Sequence, residues 1–196
     1  SIAMQAAQTG HLMLSTIHTN SAPAAVTRLL DLAVPGYMIA ASLGSVVAQR
    51  LVRRLCPHCK VPAGEVLQAR CREVGIDPMG VFEPKGCEDC SQSGFKGRVA
   101  VFSILDVAEE VRSAVRDGCS ENELARCARR SGYRPLEEGA LALLVSGITS
   151  LDEIERVLGP VQPLAEAKPA AGKDRGAAAA AAPKAVPPAP AKTLSK

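Results

Sequence analysis

The sequence predicts an α/β protein with a cysteine-rich insertion, a small helical C-terminal part and a disordered tail. Three observations predict this class: a short apolar run followed by helical spacing near the start, two C-x-x-C pairs in the middle, and repeated helical patterns after them. We expect the boundaries to divide the chain into residues 1–55, 56–105, 106–159 and 160–196. Hydrophobic residues make up 47% of the 196 and aromatic residues 3%, so the predicted core is aliphatic.

The first part begins with residues that read as the middle of a helix, so we expect the N-terminal side of the chain to have been cut. His11–His18 is short and apolar, as is typical of a buried strand in an α/β sheet. Ser21 is a predicted N-cap with Pro23 in the first helical turn. A second helix is expected from about Tyr37 to Val47, and Arg50–Leu55 either continues that helix or, as we prefer, starts a strand.

The later part follows the same rules. One short helix is expected near 64–74 and a strand over 97–105. Further helices are predicted over 107–116, 121–131 and 135–146, and a last one begins after Thr149 or Ser150 as N-cap. Residues 160–196 are rich in Ala, Pro and Lys and hold few large apolar side chains, so they are predicted to be disordered.

Two cysteine pairs are the strongest local signal. Cys56 and Cys59 form one C-x-x-C pair, and Cys87 and Cys90 form the other. Two such knuckles can close a tetrahedral four-sulfur shell that suits zinc. The alternatives are four reduced structural cysteines or a redox pair. His58 is a weaker candidate ligand, and the remaining thiols are expected to be buried apolar side chains: Cys71, Cys119 and Cys127.

Polar residues follow the predicted strand at 11–18, where α/β sheets place ligand-contacting groups. His18 can donate a hydrogen bond to a phosphate, and Ser15, Thr16 and Thr19 add hydroxyl groups. The alternative is that His18 is a structural residue with its hydrogen bonds satisfied inside the protein.

Charge and hydropathy exclude other classes. Residues 1–159 carry 17 basic and 18 acidic side chains, so the predicted ordered part is not a nucleic-acid binder by bulk charge. A free zinc ribbon contacting nucleic acid is therefore disfavoured, as the scarcity of aromatic stacking residues also indicates. No run of eighteen apolar residues is present. No export signal is visible, and seven cysteines, an odd number, argue against a closed disulfide framework.

An ordered set of motifs then resembles the ATPases of type II secretion and type IV pilus assembly. The motifs are TGHLMLSTIHTN, AQRLVRRLCPHCK, the second cysteine pair, SGFKGRVAVFSIL and GITSLDEIERV, together covering about residues 3–158. The resemblance implies a RecA-like P-loop motor that works as a homo-hexamer, lies in the cytoplasm at the inner membrane, and binds a platform protein and a cytoplasmic-domain adaptor. No nucleic-acid partner is implied.

The resemblance also assigns roles to single residues. It implies that His18 is the histidine-box residue near the terminal phosphate, that His11 supports the same strand, and that Thr16 and Thr19 line the nucleotide site. Arg50 is implied at a subunit interface, with a buried structural arginine as the alternative. It further implies that Cys56, Cys59, Cys87 and Cys90 are metal ligands, which is the expected zinc site.

One departure limits these expectations. No G-x-x-x-x-G-K-[ST] run occurs in the sequence, and the acidic strand end expected before residue 3 is missing as well. We therefore expect this chain to be a C-terminal fragment that is inactive alone, with ATP and Mg bound only by the complete parent protein. The alternative is a zinc-stapled docking module for an inner-membrane platform protein.

Overall fold

The computed structural model describes residues 2–161 as a mixture of helices and two small antiparallel sheets. In chain order the elements are α1 (Ile2–Gln8), α2 (Ala22–Asp31), α3 (Gly36–Ser42), β1 (Ser45–Leu55), β2 (Val61–Pro62), α4 (Glu65–Glu73), β3 (Phe82–Glu83), β4 (Phe95–Asp106), α5 (Glu109–Arg116), α6 (Glu121–Arg130), α7 (Leu136–Val145) and α8 (Leu151–Leu158). The prediction of a mixed helix and sheet protein is confirmed.

A long hairpin of β1 and β4 is the centre of the fold. The two strands pair antiparallel from Ser45 opposite Asp106 to Arg53 opposite Arg98, and the register shifts before Leu55 pairs with Phe95. Alternate side chains point inward, as the pleat requires, and Val52, Val101 and Leu105 are buried. The hairpin encloses the cysteine-rich segment, in which β2 and β3 form a second, shorter ladder.

Two hydrophobic clusters pack on the inner face of this hairpin. The first joins β1 and β4 to α4, α7 and α8, and its members lying between the two cysteine pairs are Ala63, Leu67, Cys71, Ile76 and Val81. The second joins the far end of β4 to α2, α3, α5 and α6. Ala48 of β1 packs against both clusters, so the hairpin is the structural link between them.

Helix ends follow the predicted capping chemistry. The Ser21 hydroxyl accepts a hydrogen bond from the Ala24 amide at 3.1 Å, and Pro23 lies in the first turn of α2. Of the two expected caps of the last helix, Ser150 is the one observed, since its hydroxyl accepts from the Glu153 amide. Such caps were predictable because they satisfy helix N–H groups within a few residues of sequence.

Two predictions about the first part were wrong. His11–His18 forms neither a strand nor a helix, and Leu12 and Leu14 are 87% and 86% exposed instead of buried. A strand needs a neighbour for its backbone hydrogen bonds, and no element among residues 2–161 pairs with this segment. The second helix also ends early, at Ser42, because Val46 and Val47 join β1 and pair with Leu105 and Ile104.

The remaining boundaries agree with the predictions to within a few residues. Arg50–Leu55 lies in β1, which confirms the preferred strand over the continued helix. Pro160 and Val161 were assigned to the disordered tail, yet Val161 packs against the first cluster. The rest of that predicted tail, 162–196, lies outside the described residues. No helix in the described range is long and apolar enough to cross a membrane.

Candidate metal centre and polar cleft

The first cysteine pair lies on a tight turn at the end of β1. The Cys56 amide donates to the Gly94 carbonyl at 2.9 Å, which ties the start of this turn to the residue just before β4. The amides of Cys59 and Lys60 both donate back to the Cys56 carbonyl, at 3.4 and 3.1 Å. This turn brings the Cys56 and Cys59 thiols to one side of the chain, as expected of a metal-binding knuckle.

The second pair spans a single 3-10 turn, Glu88–Cys90, which Cys87 precedes as the N-cap and Cys90 ends. The amides of Cys90 and Gln92 donate to the Cys87 carbonyl at 3.3 and 2.8 Å. Ser91 and Gln92 adopt positive φ angles of 50° and 62°, so the chain reverses sharply just after the turn. The reversal brings Gly94 beside the cysteines, where its amide donates to the Cys90 sulfur at 3.2 Å.

The four sulfur atoms form one cluster. The Cys56–Cys87 and Cys59–Cys90 sulfur pairs are each 3.8 Å apart and the Cys87–Cys90 pair is 3.7 Å apart, with all four sulfurs within 4.8 Å of one another. A tetrahedral site with zinc–sulfur bonds of about 2.3 Å has sulfur–sulfur edges of about 3.8 Å. The donor set and its spacing therefore fit a four-coordinate soft metal ion such as zinc.

Three of the four thiols in the cluster have shifted pKa values. Burial raises the pKa of Cys59 and raises that of Cys87 to about 12. Burial acts on Cys90 in the same direction, but hydrogen bonds from the amides of Cys87 and Gly94 outweigh it and lower the pKa of Cys90 to about 6. The cluster thus holds one thiol, that of Cys90, which favours the thiolate form, and two, those of Cys59 and Cys87, which need a nearby cation to ionise.

The other cysteines lie outside this cluster. Cys71 is fully buried in the first hydrophobic cluster, as predicted, and burial raises its pKa. Cys119 and Cys127 are only half-buried, because both line an open cleft beside α6, where the Arg130 guanidinium donates to the Cys127 sulfur at 3.1 Å. His58 is exposed and its Nε2 lies 3.8 Å from an Asp89 carboxylate oxygen, so it is not part of the sulfur cluster.

A small polar cleft forms where residues 17–20 meet β1. Its lining residues are Ile17, His18, Thr19, Asn20 and Arg50. Arg50 holds the segment in place, since its Nη2 donates to the Thr19 carbonyl at 3.1 Å and its Nη1 donates to the Gln49 carbonyl at 3.2 Å. The Thr19 hydroxyl donates to the Ser21 carbonyl at 3.1 Å. The cleft therefore presents an exposed imidazole beside a guanidinium, both of which can donate to an anion.

The structure separates the other candidates from this cleft. Within the described residues His11 is exposed, and its Nδ1 is 3.1 Å from the Thr9 hydroxyl. Ser15 and Thr16 are exposed and do not line the cleft. His18, Thr19 and Arg50 are thus brought together, whereas His11 and Thr16 are not. Arg50 is half-buried and bound to backbone carbonyls, in keeping with the structural alternative for its role.

Comparison with known proteins identifies the family. Residues 1–156 match the family described as Type II/IV secretion system protein. The chain is 40% identical over 162 residues to a Type IV pilus assembly ATPase, TfpB, of Acinetobacter baylyi, and 40% identical over 159 residues to Type II secretion system protein E of Pseudomonas aeruginosa. It is 43% identical over 157 residues to the Type IV pilus assembly ATPase PilB of Thermus thermophilus.

These matches cover most of this chain and a small part of its relatives. They take in 80% of the chain for the first two relatives and 78% for the third, but only 28%, 31% and 18% of the respective relatives. The chain therefore spans less than a third of the length of each. Because the family match extends over both the cleft and the four-cysteine cluster, the chain belongs to the type II/IV secretion system protein family.

Proposed function

We propose that this chain is the C-terminal part of a hexameric ATPase that powers type II protein secretion or type IV pilus assembly. The relatives are named as ATPases of pilus assembly and as a secretion protein, which supports this family role. On this proposal residues 1–55 complete a RecA-like domain, 56–105 form a metal-binding subdomain and 106–159 form a helical C-terminal subdomain. The complete protein lies in the cytoplasm, peripheral to the inner membrane, and contacts a platform protein and an adaptor there.

The observation that carries the proposal is the contact between Arg50 and the residue that follows His18. It places a fixed cation and an imidazole at one cleft, 32 positions apart in sequence. Together they suit the terminal phosphate of ATP, because a guanidinium matches phosphate oxygens and an imidazole donates one further hydrogen bond. We assign His18 the catalytic contact and Thr19 and Arg50 supporting contacts. His11 and Thr16 join them if 11–18 becomes a strand in the complete protein.

The remaining parts of the nucleotide site lie elsewhere in the complete protein. Phosphoryl transfer to water needs a backbone cradle for the phosphates, a lysine, a magnesium ion and a group that orients the attacking water. The sequence contains no G-x-x-x-x-G-K-[ST] run to supply the first two. We infer that ATP and Mg bind only when these residues are supplied, so the 196-residue chain alone hydrolyses no ATP.

The four-cysteine cluster is proposed as a structural zinc site. Four thiolates fill a tetrahedral shell and leave no position for water or substrate, which is the arrangement of a stabilising site and not of a catalytic one. Cys56 and Cys90 are buried, in agreement with that role. A second candidate function follows from it: the zinc-stapled subdomain docks on an inner-membrane platform protein and has no catalysis of its own.

The test uses the complete protein and measures ATP turnover and melting temperature on the same preparation. His18→Ala is expected to lower turnover and leave the melting temperature unchanged, because His18 is exposed and contacts substrate. Arg72→Ala is the matched control, since Arg72 is an exposed cation whose guanidinium bonds Gln68 on its own helix. A His18 variant that loses stability but keeps turnover per folded molecule would show a structural role instead. ATP turnover by the 196-residue chain itself, free of contaminating ATPases, would overturn the fragment proposal.

A further inference from the structure

The segment from Gly147 to Glu153 binds the chain on both sides of the first cysteine knuckle. Before the knuckle, the Leu55 amide donates to the Ile148 carbonyl at 2.8 Å, and the Thr149 hydroxyl donates to the Arg53 carbonyl at 2.9 Å. After the knuckle, the Lys60 ammonium donates to the Gly147 carbonyl at 2.8 Å. This segment leads into α8 and is distant in sequence from the cysteines that it supports.

These bonds are made where the main hairpin is irregular. The register of β1 and β4 shifts between Arg53 and Leu55, which is the last stretch of β1 before Cys56. A register shift leaves backbone groups without ladder partners, and buried backbone groups need partners. The segment 147–153 supplies them and so fixes the direction in which β1 enters the knuckle.

Glu153 adds a buried charge to these contacts. Its side chain is fully buried and both of its carboxylate oxygens accept hydrogen bonds. Oε1 accepts from the Arg53 amide at 2.9 Å and from Arg156 Nη2 at 2.7 Å, and Oε2 accepts from the Nε atoms of Arg53 and Arg156, both at 2.8 Å. The buried charge is thus matched by two guanidinium groups, one of which belongs to β1.

Arg53 connects this carboxylate to both knuckles. It lies three residues before Cys56, and its guanidinium stacks over the Phe95 ring at 4.0 Å from the centroid. Phe95 follows Gly94, whose amide donates to the Cys90 sulfur and whose carbonyl accepts from the Cys56 amide. The ends of the two strands that carry the knuckles are therefore both held by one side chain, and that side chain is held by Glu153.

We propose that Glu153 is a positioning residue for the four-cysteine metal site, acting through Arg53. The inference rests on the proposed metal site and adds a residue outside the ligand set. Groups that orient metal ligands from outside the first coordination shell change metal affinity by about 10-fold to 100-fold when removed. Loss of Glu153 is accordingly expected to speed metal release by about tenfold.

The experiment measures zinc release from the zinc-loaded chain to an excess of a coloured chelator. Glu153→Gln keeps the side-chain volume but replaces one accepting oxygen with a donor that faces the guanidinium groups. Ile154→Ala is the matched control, because Ile154 is the next residue of α8, is fully buried and destabilises the helix packing without a bond to Arg53. Compared with the unmodified chain, we expect about tenfold faster zinc release for Glu153→Gln and less than twofold faster release for Ile154→Ala. The comparison is made under conditions in which the two variants have equal melting temperatures.

A second readout separates positioning from general stability. With cobalt in place of zinc, the visible ligand-field bands report the coordination geometry, and they are expected to shift in Glu153→Gln but not in Ile154→Ala. Arg53→Met, which keeps the apolar stem of a side chain that is 42% exposed, gives the same comparison if Glu153→Gln does not fold. Equal release from the Glu153 and Ile154 variants, or an unchanged spectrum, would overturn the positioning role. A wild-type chain that binds no metal would instead overturn the proposed site itself.

Discussion

At the scale of single residues, the chemistry of the chain is concentrated in side chains that the fold holds from several directions. The four cysteines are brought together by two turns that are local in sequence and by one hairpin that is not. Glu153 is buried by contacts from β1 and from its own helix. A substitution at either place therefore disturbs groups that are far away along the chain.

Replacing one ligand tests the metal site directly. The purified chain is expected to hold about one zinc ion, and Cys87→Ser is expected to lose it, because three thiolates and a hydroxyl bind zinc far more weakly than four thiolates. Elemental analysis of protein produced under reducing conditions with zinc supplied measures the metal content. Cys71→Ser is the control, since Cys71 lies in the first hydrophobic cluster and is not one of the four clustered cysteines. Zinc-free wild-type protein would contradict the assignment.

Glu153 predicts a particular dependence of stability on pH. Burial alone would raise its pKa, but the guanidinium groups of Arg156 and Arg53 outweigh that effect and lower the pKa to about 2, from an ordinary value of 4.5. A group with a lowered pKa stabilises the fold fully above pH 4.5, and this stabilisation is lost as the pH falls towards 2. The contribution is on the order of 3 kcal/mol in the free energy of unfolding.

The measurement compares the free energy of unfolding of the unmodified chain with that of the Glu153→Gln variant, both in the same metal state, at each pH. The difference in their free energies of unfolding is expected to be constant from pH 7 to 5 and to shrink as the pH falls below 4.5. Comparing two proteins in this way removes the contribution of cysteine protonation, which affects both. A difference that stays constant down to the lowest pH at which both fold would contradict the lowered pKa.

Residues were predicted from sequence only where their partners are close in sequence. The cysteine pairs and the Ser21 and Ser150 caps were predictable because a fixed local spacing defines each. The burial of Glu153 was missed, since an acidic residue in a first helical turn is ordinarily a solvated group and its partner Arg53 is 100 positions away. The contact of Arg50 with Thr19 was missed for the same reason.

At the scale of elements, the cysteine-rich segment depends on glycines that permit its close turns. Gly94 has φ +74°, and a Cβ atom there would overlap the Pro84 side chain. Gly97, on β4, has φ +79°, but a Cβ atom there would meet open space. The pair therefore separates the cost of a left-handed backbone from the cost of a steric clash.

Alanine at these two positions is expected to have unequal effects. Gly97→Ala should cost about 1 to 2 kcal/mol in the free energy of unfolding, which is the cost of a left-handed conformation for a residue with a Cβ atom. Gly94→Ala should cost more and should also weaken zinc retention, because the clash displaces the amide that donates to Cys90. Thermal melting and the chelator assay measure both effects. Equal effects of the two variants would show that the contact with Pro84 is unimportant.

Elements also show why some segments were predicted wrongly. The apolar pattern of His11–His18 is that of a strand, but a pattern does not reveal whether a pairing strand is available, and none of the described elements supplies one. The segment 37–47 contains apolar residues that suit a helix or a strand. The helix ends at Ser42, and the residues from Ser45 onward form β1 because Val46 pairs with Leu105, which is distant in sequence. Helices α4 to α8 were predicted closely because their periodicity is local in sequence.

At the scale of the whole molecule, two hydrophobic clusters share one hairpin. The first hydrophobic cluster includes five residues from the segment between the two cysteine pairs, together with residues of α7 and α8. The other cluster is built from α2, α3, α5 and α6 and contains none of the residues between the pairs. Metal binding should therefore affect the two halves of the described molecule unequally.

Removal of the metal tests this division. A structural zinc ion contributes folding free energy to the residues that its ligands order. In the zinc-free chain we expect faster hydrogen exchange in peptides from the cysteine-rich segment, α7 and α8, because α8 is tied to the knuckles through Glu153 and Arg53. Peptides from α2, α3, α5 and α6 should exchange within about twofold of the zinc-loaded rate, since their cluster is built without the segment between the cysteine pairs.

Hydrogen exchange with mass spectrometry on the zinc-loaded, chelator-treated and zinc-restored chain measures these rates, and the zinc-restored sample shows that the change is reversible. A uniform increase across both clusters would mean that the hairpin transmits the loss of metal to the whole fold, and exchange that rises only at the knuckles would mean that α8 docks independently of the metal.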